Sequence, residues 1–365
     1  MSLLHRVALT FLKNIGPSSV KSLVSHFGGA EEVFKAPNAK WLKAYGIGGK
    51  RSEVDRSEAL SQAEQELQFV EKNGIEVIFY TDERYPKRLK NCHDSPALLY
   101  AKGNANFNVQ RVVSIVGTRN ATEYGKEQCR QLLEELQPYN VLVVSGLALG
   151  IDVIAHKECL KHNIPTAGVL GHGLDRMYPS QNRATAEKMM EHGALLTEYP
   201  SGTIPDREHF PQRNRIVAGM SDVTVVIEAA IGGGALITAE IANTYNRDVF
   251  AYPGRIGDEY SEGCNFLIRN NKASLLTGAA DLAYILGWEK ADGIAPPKEQ
   301  LMLPIDLTAD EQFIFEILQQ HKTPVAIDDL TLKTNMPTSQ LAMNLLNMEM
   351  QGYIRSLPGK TYKIC

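Results

Sequence analysis

Six short runs of apolar, mostly β-branched residues, with helix-period segments between them, constrain this chain more than any other feature. The runs are Val112–Val116, Val141–Val144, Thr166–Leu170, Leu195–Thr197, Val223–Ile227 and Val249–Ala251. Helical patterns fall at Glu127–Leu136, Val153–Lys161, Ala184–Glu191 and Leu236–Thr244. A strand with one wet face alternates apolar and polar residues. Runs without that alternation suit strands buried on both faces, as in a parallel sheet covered by helices. Crossovers in such a sheet are right-handed, so the pattern predicts an α/β domain of the Rossmann-like, doubly wound kind.

The segments on either side have a different texture. Residues 1–75 are helical in pattern and carry two glycine turns, Asn14-Ile15-Gly16-Pro17 and Tyr45-Gly46-Ile47-Gly48-Gly49-Lys50. Two readings stay open for them. Turns of this kind let backbone N–H groups approach a phosphate, as in paired helix-hairpin-helix units, with Lys50 and Arg51 adding charge. Alternatively, the glycines are simply helix C-caps in a structural helical domain. The sheet domain is expected over 76–290 and a linker over 291–306, the region of Pro296, Pro297 and Pro304. Residues 307–365 then read as a winged helix. Thr308 to Glu311 forms a capping box, helices fit Ile327–Lys333 and Ser339–Gln351, and Tyr353–Leu357 and Thr361–Ile364 form a hairpin. The third helix carries Gln340, Asn344, Asn347 and Glu349 but no Lys or Arg. A duplex-reading helix needs phosphate anchors, so this unit is expected to bind a partner or regulate.

Net charge is −4 and the sequence pI about 6.2, which excludes a general polyanion coat but allows a local basic groove. The five cysteines (Cys92, Cys129, Cys159, Cys264 and Cys365) form no CxxC pair. They read as reduced thiols of a cytoplasmic protein, with spacing poorly suited to zinc. His5, Arg6 and Lys13 interrupt the apolar N-terminus, against a secretory signal. No run reaches the roughly 18 apolar residues of a membrane span.

Ligands of open parallel sheets bind beyond the carboxyl ends of the strands. Here those ends are rich in glycine: Gly117-Thr118-Arg119, Ser145-Gly146-Leu147-Ala148-Leu149-Gly150, Gly171-His172-Gly173, Gly232-Gly233-Gly234-Ala235 and Pro253-Gly254-Arg255. Such an edge presents clustered N–H groups and helix N-termini to anions. No GxGxxG opens the first helix and no Walker A motif occurs, so NAD binding and ATP hydrolysis lose their usual support. The stretch before the fifth run, read as a loop, is Arg207-Glu208-His209-Phe210-Pro211-Gln212-Arg213-Asn214-Arg215. Cations around an aromatic ring suit single-stranded nucleic acid, with a base stacked on Phe210 worth about 1–3 kcal/mol. Against this, Phe210 could be a loop plug, and Asn214 and Arg215 could cap the following helix and pair with Glu228. His156, His172 and His209 have carboxylates nearby in sequence, but no nucleophile stands in a recognisable elbow.

Taken together, these residues resemble the DprA (DNA-processing protein A, or Smf) family. The matches run from Val116-Gly117-Thr118-Arg119 and Tyr124-Gly125 through Ser145-Gly146-Leu147-Ala148, Gly150-Ile151-Asp152, Ala155-His156, Gly173-Leu174-Asp175 and Tyr178-Pro179 with Asn182. They continue at Phe210-Pro211, Arg213-Asn214-Arg215-Ile216, Glu228-Ala229, Leu236-Ile237-Thr238-Ala239 and Pro253-Gly254. The resemblance implies a protein that is not an enzyme and needs no cofactor. Such a protein binds single-stranded DNA without sequence preference, protects it, and promotes RecA loading in natural transformation as a homodimer through the Rossmann-like domain. It also implies that Gly117, Thr118 and Arg119 hold a phosphate, with Ser145, Gly146 and Leu147 as the adjoining amide cradle. Arg207 would hold backbone and Phe210 a base, and Arg213, Asn214, Arg215, Gly233, Gly234 and Ala235 complete the expected DNA-binding set. Two departures weaken the groove: Leu149 stands where the family usually has arginine, and Gly233-Gly234-Ala235 where it has Ser-Gly-Ser. With about three phosphates neutralised, log K should fall with log salt at a slope near −2.

Two rivals exist. Gly232–Glu240 superficially resembles the glycine turn of nucleotide phosphoribohydrolases of the "lonely guy" type, which would place Glu240 at a ribose. No proline precedes the glycines, and Leu236 replaces a required glycine. A transcription regulator on duplex DNA would need the basic recognition helix this chain lacks.

Overall fold

The computed structural model describes residues 2–37, 55–289, 307–319, 321, 325–357 and 361–364. The chain forms two compact units, residues 1–291 and 292–365.

The first unit is built on a sheet of strands β1 (Glu76–Phe79), β2 (Leu98–Gly103), β3 (Arg111–Val116), β4 (Val141–Ser145), β5 (Thr166–Val169), β6 (Gly193–Thr197), β7 (Val223–Val226), β8 (Asp248–Ala251) and β9 (Ser274–Leu275). Their spatial order is β1-β2-β6-β5-β4-β3-β7-β8-β9. From β6 to β9 all neighbours are parallel. The expected α/β sheet is therefore present, with an addition: β1 and β2 pair antiparallel to each other, and β2 antiparallel to β6. Residues of β3 show why the central runs are apolar throughout. Val112 and Val116 face one helical layer, while Val113 and Ile115 face the other, and all are buried.

Among the described residues of 1–75 the helices are α1 (Leu3–Ala8), continued by a 3-10 turn (Leu9–Phe11), α2 (Pro17–Phe27), α3 (Ala30–Lys35) and α4 (Arg56–Lys72). Their core residues Leu9, Leu23, Val33 and Ala63 share one cluster with Phe79, Leu98 and Tyr100 of β1 and β2. Residues 1–75 thus pack onto the sheet within the same compact unit. Gly16 precedes α2 as its N-cap with Pro17 at the first helical position, and Gly28 closes α2 in the left-handed conformation (φ 83°). The turn at Tyr45–Lys50, with Arg51, lies outside the described residues, as does the linker.

Chain order fixes where the sheet opens. From β3 the chain steps through β4, β5 and β6 to one side, then returns to place β7 against the other side of β3. Loops leaving β3 and β7 diverge here, which makes the β3/β7 boundary the topological switch point. The connecting helices are α5 (Lys87–Lys90), α6 (Glu123–Leu136), α7 (Ile151–Lys161), α8 (Arg183–His192), α9 (His209–Met220), α10 (Gly234–Thr244), α11 (Glu259–Arg269) and α12 (Ala279–Leu286).

The second unit contains α13 (Ala309–Gln319), α14 (Ile327–Thr334) and α15 (Thr338–Met350), with β10 (Val325–Ala326), β11 (Ile354–Leu357) and β12 (Thr361–Ile364) in the order β10-β12-β11. The capping box forms as read: Thr308 N donates to Glu311 Oε2 at 2.9 Å, and Glu311 N donates to Thr308 Oγ1 at 3.4 Å. Leu330, Leu341, Leu345 and Ile354 close the winged-helix core. Cys92, Cys129, Cys159 and Cys264 are buried free thiols. Among the described residues no helix is long and apolar enough to cross a membrane.

Candidate nucleic-acid groove

A groove of about 700 Å³ opens at the switch point, bringing together Gly117, Thr118, Arg119, Gly146, Arg207, Phe210, Arg213, Asn214, Gly233, Gly234 and Ala235. Its first wall is the turn after β3. A Cβ on Gly117 would lie 2.5 Å from Ile151 Cγ1, so only glycine lets α7 start against this turn. Ile151 N then donates to Thr118 O at 3.1 Å. Gly150, at φ 79°, closes onto the Thr118 carbonyl and the Arg119 backbone, leaving no room for a side chain. The turn is therefore built rigidly, but not every amide on it is open. Thr118 N donates to Glu228 O at 2.7 Å, and that N–H is used.

Of the three residues expected to form the amide cradle, Leu147 lines a small pocket adjoining the groove together with Arg119, Tyr178 and Phe210. Gly146 lines the groove. Ser145 is buried and donates its hydroxyl to Ile115 O at 2.6 Å, while Leu147 packs among Leu170, Ala186 and Met189. On the opposite wall, Gly233, Gly234 and Ala235 form the start of α10. Gly233 N donates to Ala230 O and Leu236 N to Gly233 O, both at 3.0 Å, so the donors this wall offers are the N–H groups of Gly234 and Ala235, at the positive end of the helix dipole.

Residues 209–215 are not a loop. They open helix α9, with Pro211 in its first turn, where proline is tolerated. Arg213, Ile216, Val217 and Met220 are buried at helical spacing and hold α9 against the sheet. This separates the arginines that the sequence had grouped. Arg119 and Arg207 are exposed, and no ion pair is formed by either among the described residues. Arg213 is 5% exposed; its guanidinium donates to Val169 O, and its Nε to Asn214 Oδ1 at 3.1 Å. Arg213 and the Asp152 carboxylate crowd the same side of Gly146. Burial pushes the Asp152 carboxyl above its ordinary range against the pull of Arg213, and burial lowers the Arg213 guanidinium. Arg215 leaves the groove altogether. It donates to Asp94 O at 2.8 Å and pairs with Glu198, not with Glu228 as its sequence position suggested. Glu228 instead accepts from Thr122 N at 2.9 Å and Thr122 Oγ1 at 2.5 Å.

Phe210 is half-buried and faces the groove rather than plugging a loop. The Arg119 guanidinium lies 5.4 Å from its ring centroid, and the Tyr178 ring lies 6.1 Å away. Tyr178 is 49% exposed. Cation and two rings thus form one continuous surface to which a base can stack. Tyr178 is the groove residue that sequence reasoning left without a role, although Tyr178-Pro179 was visible as a motif. The loop leading to Arg207 is anchored from the helical segment: Ser201 N donates to the buried Glu66 carboxylate at 3.0 Å. Glu240, the residue a phosphoribohydrolase would require, is exposed, ion-paired with Lys272 and absent from the groove lining.

Comparison with known proteins agrees with the motif pattern. Residues 76–287 match the family model described as DNA recombination-mediator protein A, and residues 296–360 the DprA winged helix domain. The chain belongs to the DprA/Smf family. Among its relatives, protein Smf of Synechocystis sp. is 32% identical over 98% of this chain and 97% of that one. The X-ray structure of the DprA from Streptococcus pneumoniae superposes with a TM-score of 0.68 at 29% identity, covering 79% of this chain and 99% of that one. The DprA of Helicobacter pylori, whose structure concerns its single-stranded DNA binding mode, has a TM-score of 0.54 at 28% identity, covering 59% and 97%.

Proposed function

We propose that the groove at the β3/β7 boundary holds single-stranded DNA by its backbone and by stacking, without reading base sequence. The observation that carries this is the Arg119–Phe210–Tyr178 surface, flanked by the free cation Arg207 and the start of α10. Guanidinium and ring faces accept any base, because every base has a π-face, while arginines and N–H groups hold phosphate. A duplex keeps its bases stacked inside and could use only the phosphate half of this site. Family membership and the Helicobacter pylori relative's single-stranded DNA binding support the same reading. On that basis the chain acts in the cytoplasm as a homodimer, shields the strand and promotes RecA loading onto it in transformation and recombination. The groove serves as a binding surface with no catalytic step. The displaced Glu240 favours this over a phosphoribohydrolase.

The test is fluorescence anisotropy with labelled oligo-dT and a duplex of equal length, for wild type, Arg119→Ala and Phe210→Ala. Preference for the single strand, weakened in both variants, is expected. Equal or tighter duplex binding, unchanged by either substitution, would overturn the reading. Sedimentation and a RecA strand-exchange assay test the dimer and the loading.

A further inference from the structure

The Gly117–Asn120 turn separates the groove from a second depression on the same sheet edge, of about 820 Å³, where β7 and β8 end. Thr122, Tyr124, Glu228, Gly254, Arg255 and Tyr260 are among its lining. The groove leaves unused the motif residues Tyr124, Glu228 and Pro253-Gly254, and all of them are found here. Asn120 Nδ2 donates to Tyr260 Oη at 3.0 Å, so the turn that bears Arg119 on one side is tied to an aromatic residue on the other. Tyr124 is half-exposed and donates its hydroxyl to Pro253 O at 2.6 Å, which fixes a second ring in the wall. Arg255 is exposed, with no ion pair formed by it among the described residues. Charge limits what can bind. Glu228 is spent on Thr122, but Asp258 and Glu259 also line the depression and oppose a run of phosphates. One cation beside two rings suits one nucleotide, base inward.

We infer that this depression seats a further nucleotide of the strand held in the groove, with its base against Tyr260 and Tyr124 and its phosphate on Arg255. The strand crosses the Gly117–Asn120 turn, and Arg119 and Arg255 take phosphates on either side of it. This rests on the single-strand reading of the groove.

The experiment measures affinity for an oligo-dT ladder across a salt series, with wild type, Arg119→Ala, Arg255→Gln and Tyr260→Ala. Arg119→Ala should weaken every length. Arg255→Gln and Tyr260→Ala should leave the shortest binders unchanged and weaken only oligonucleotides long enough to cross the turn. For these, Tyr260→Ala should cost about five- to 150-fold, and Arg255→Gln should reduce the salt slope by about 0.7. If both substitutions are silent at all lengths while Arg119→Ala is not, the second seat is refuted and the groove stands. A Tyr260→Ala loss equal at every length also refutes it, since Tyr260 would then act only through Asn120. A silent Arg119→Ala removes the groove reading and this inference with it.

Discussion

Replacing Arg119 by alanine removes a phosphate cation from the groove together with the planar group over Phe210, and the structure supplies the expected size of the salt effect. Of the arginines near the site, Arg213 is buried beside Asp152 and Arg215 is paired with Glu198. Arg119 and Arg207 are left to neutralise phosphates of a strand confined to the groove. At about −0.7 per phosphate on single strands, two contacts predict a log K against log salt slope of about −1.4, below the −2 expected from counting three. Arg119→Ala should halve that slope to about −0.7. The affinity lost at moderate salt should be about 1–1.5 kcal/mol, roughly five- to tenfold, because the side chain is exposed and its phosphate bond is screened. Arg119→Lys separates two roles of the residue. It keeps the charge and hence the slope, but loses the planar group that lies over Phe210. The assay is anisotropy with short oligo-dT, oligo-dA and oligo-dC over a salt series. A wild-type slope of −2 or steeper on short strands would mean that Arg213 or Arg215 reaches phosphate after all. An unchanged slope in Arg119→Ala, or a changed preference among the three oligonucleotides, would refute a backbone role for Arg119.

Other substitutions test the frame beneath the groove. Arg213→Ala removes the donor to Val169 O and the guanidinium that pulls against the burial of Asp152, and should lower stability by about 1–3 kcal/mol in urea unfolding. Arg213→Gln combined with Asp152→Asn should recover much of this, and a loss under about 1 kcal/mol for Arg213→Ala would sink the argument. Gly150→Ala places a Cβ against the Thr118 carbonyl at a positive φ. It should cost about 1–3 kcal/mol of stability and weaken strand binding as the turn shifts; full binding with unchanged stability would contradict the packing. His156 is buried between Thr166 Oγ1 (2.7 Å) and Gly146 O (2.5 Å), and burial drops its pKa to about 4. The unfolded value is about 6.5, so the folded state binds fewer protons between the two values. Stability from this group is complete above about pH 6.5 and falls by about 3 kcal/mol as pH drops to 4. Urea unfolding over that range, with NMR of the imidazole, checks it; an imidazole titrating near 6.5 in the folded protein would rule it out.

The parallel strands were legible because burial on both faces removes polar alternation, so β3 to β8 appear as apolar runs wherever they lie. The strands β1 and β2 escaped because they pair antiparallel at the sheet margin, outside any strand–helix–strand rhythm. Helix α9 was misread for a different reason. Its first turn is Phe-Pro with three arginines close by, a composition that reads as loop, and its helical period appears only when the buried Arg213 is counted with Ile216, Val217 and Met220. That same arginine shows what a sequence alone withholds about the site. Glycine turns declare themselves locally, since backbone geometry demands them, and the Gly117, Gly146 and Gly233 positions do line the groove. Whether an arginine is free depends on acids brought near by the fold. Burial of Arg213 against Val169 O and Asn214, near Asp152, and the pairing of Arg215 with Glu198 after β6 tie the cations adjacent in sequence to Phe210 into the fold. Arg119, distant in sequence, lies over the Phe210 ring instead. A groove that keeps few free cations and several aromatic or N–H surfaces binds by stacking more than by charge. Its affinity should therefore survive salt better than a basic coat would, which fits a chain whose net charge is −4.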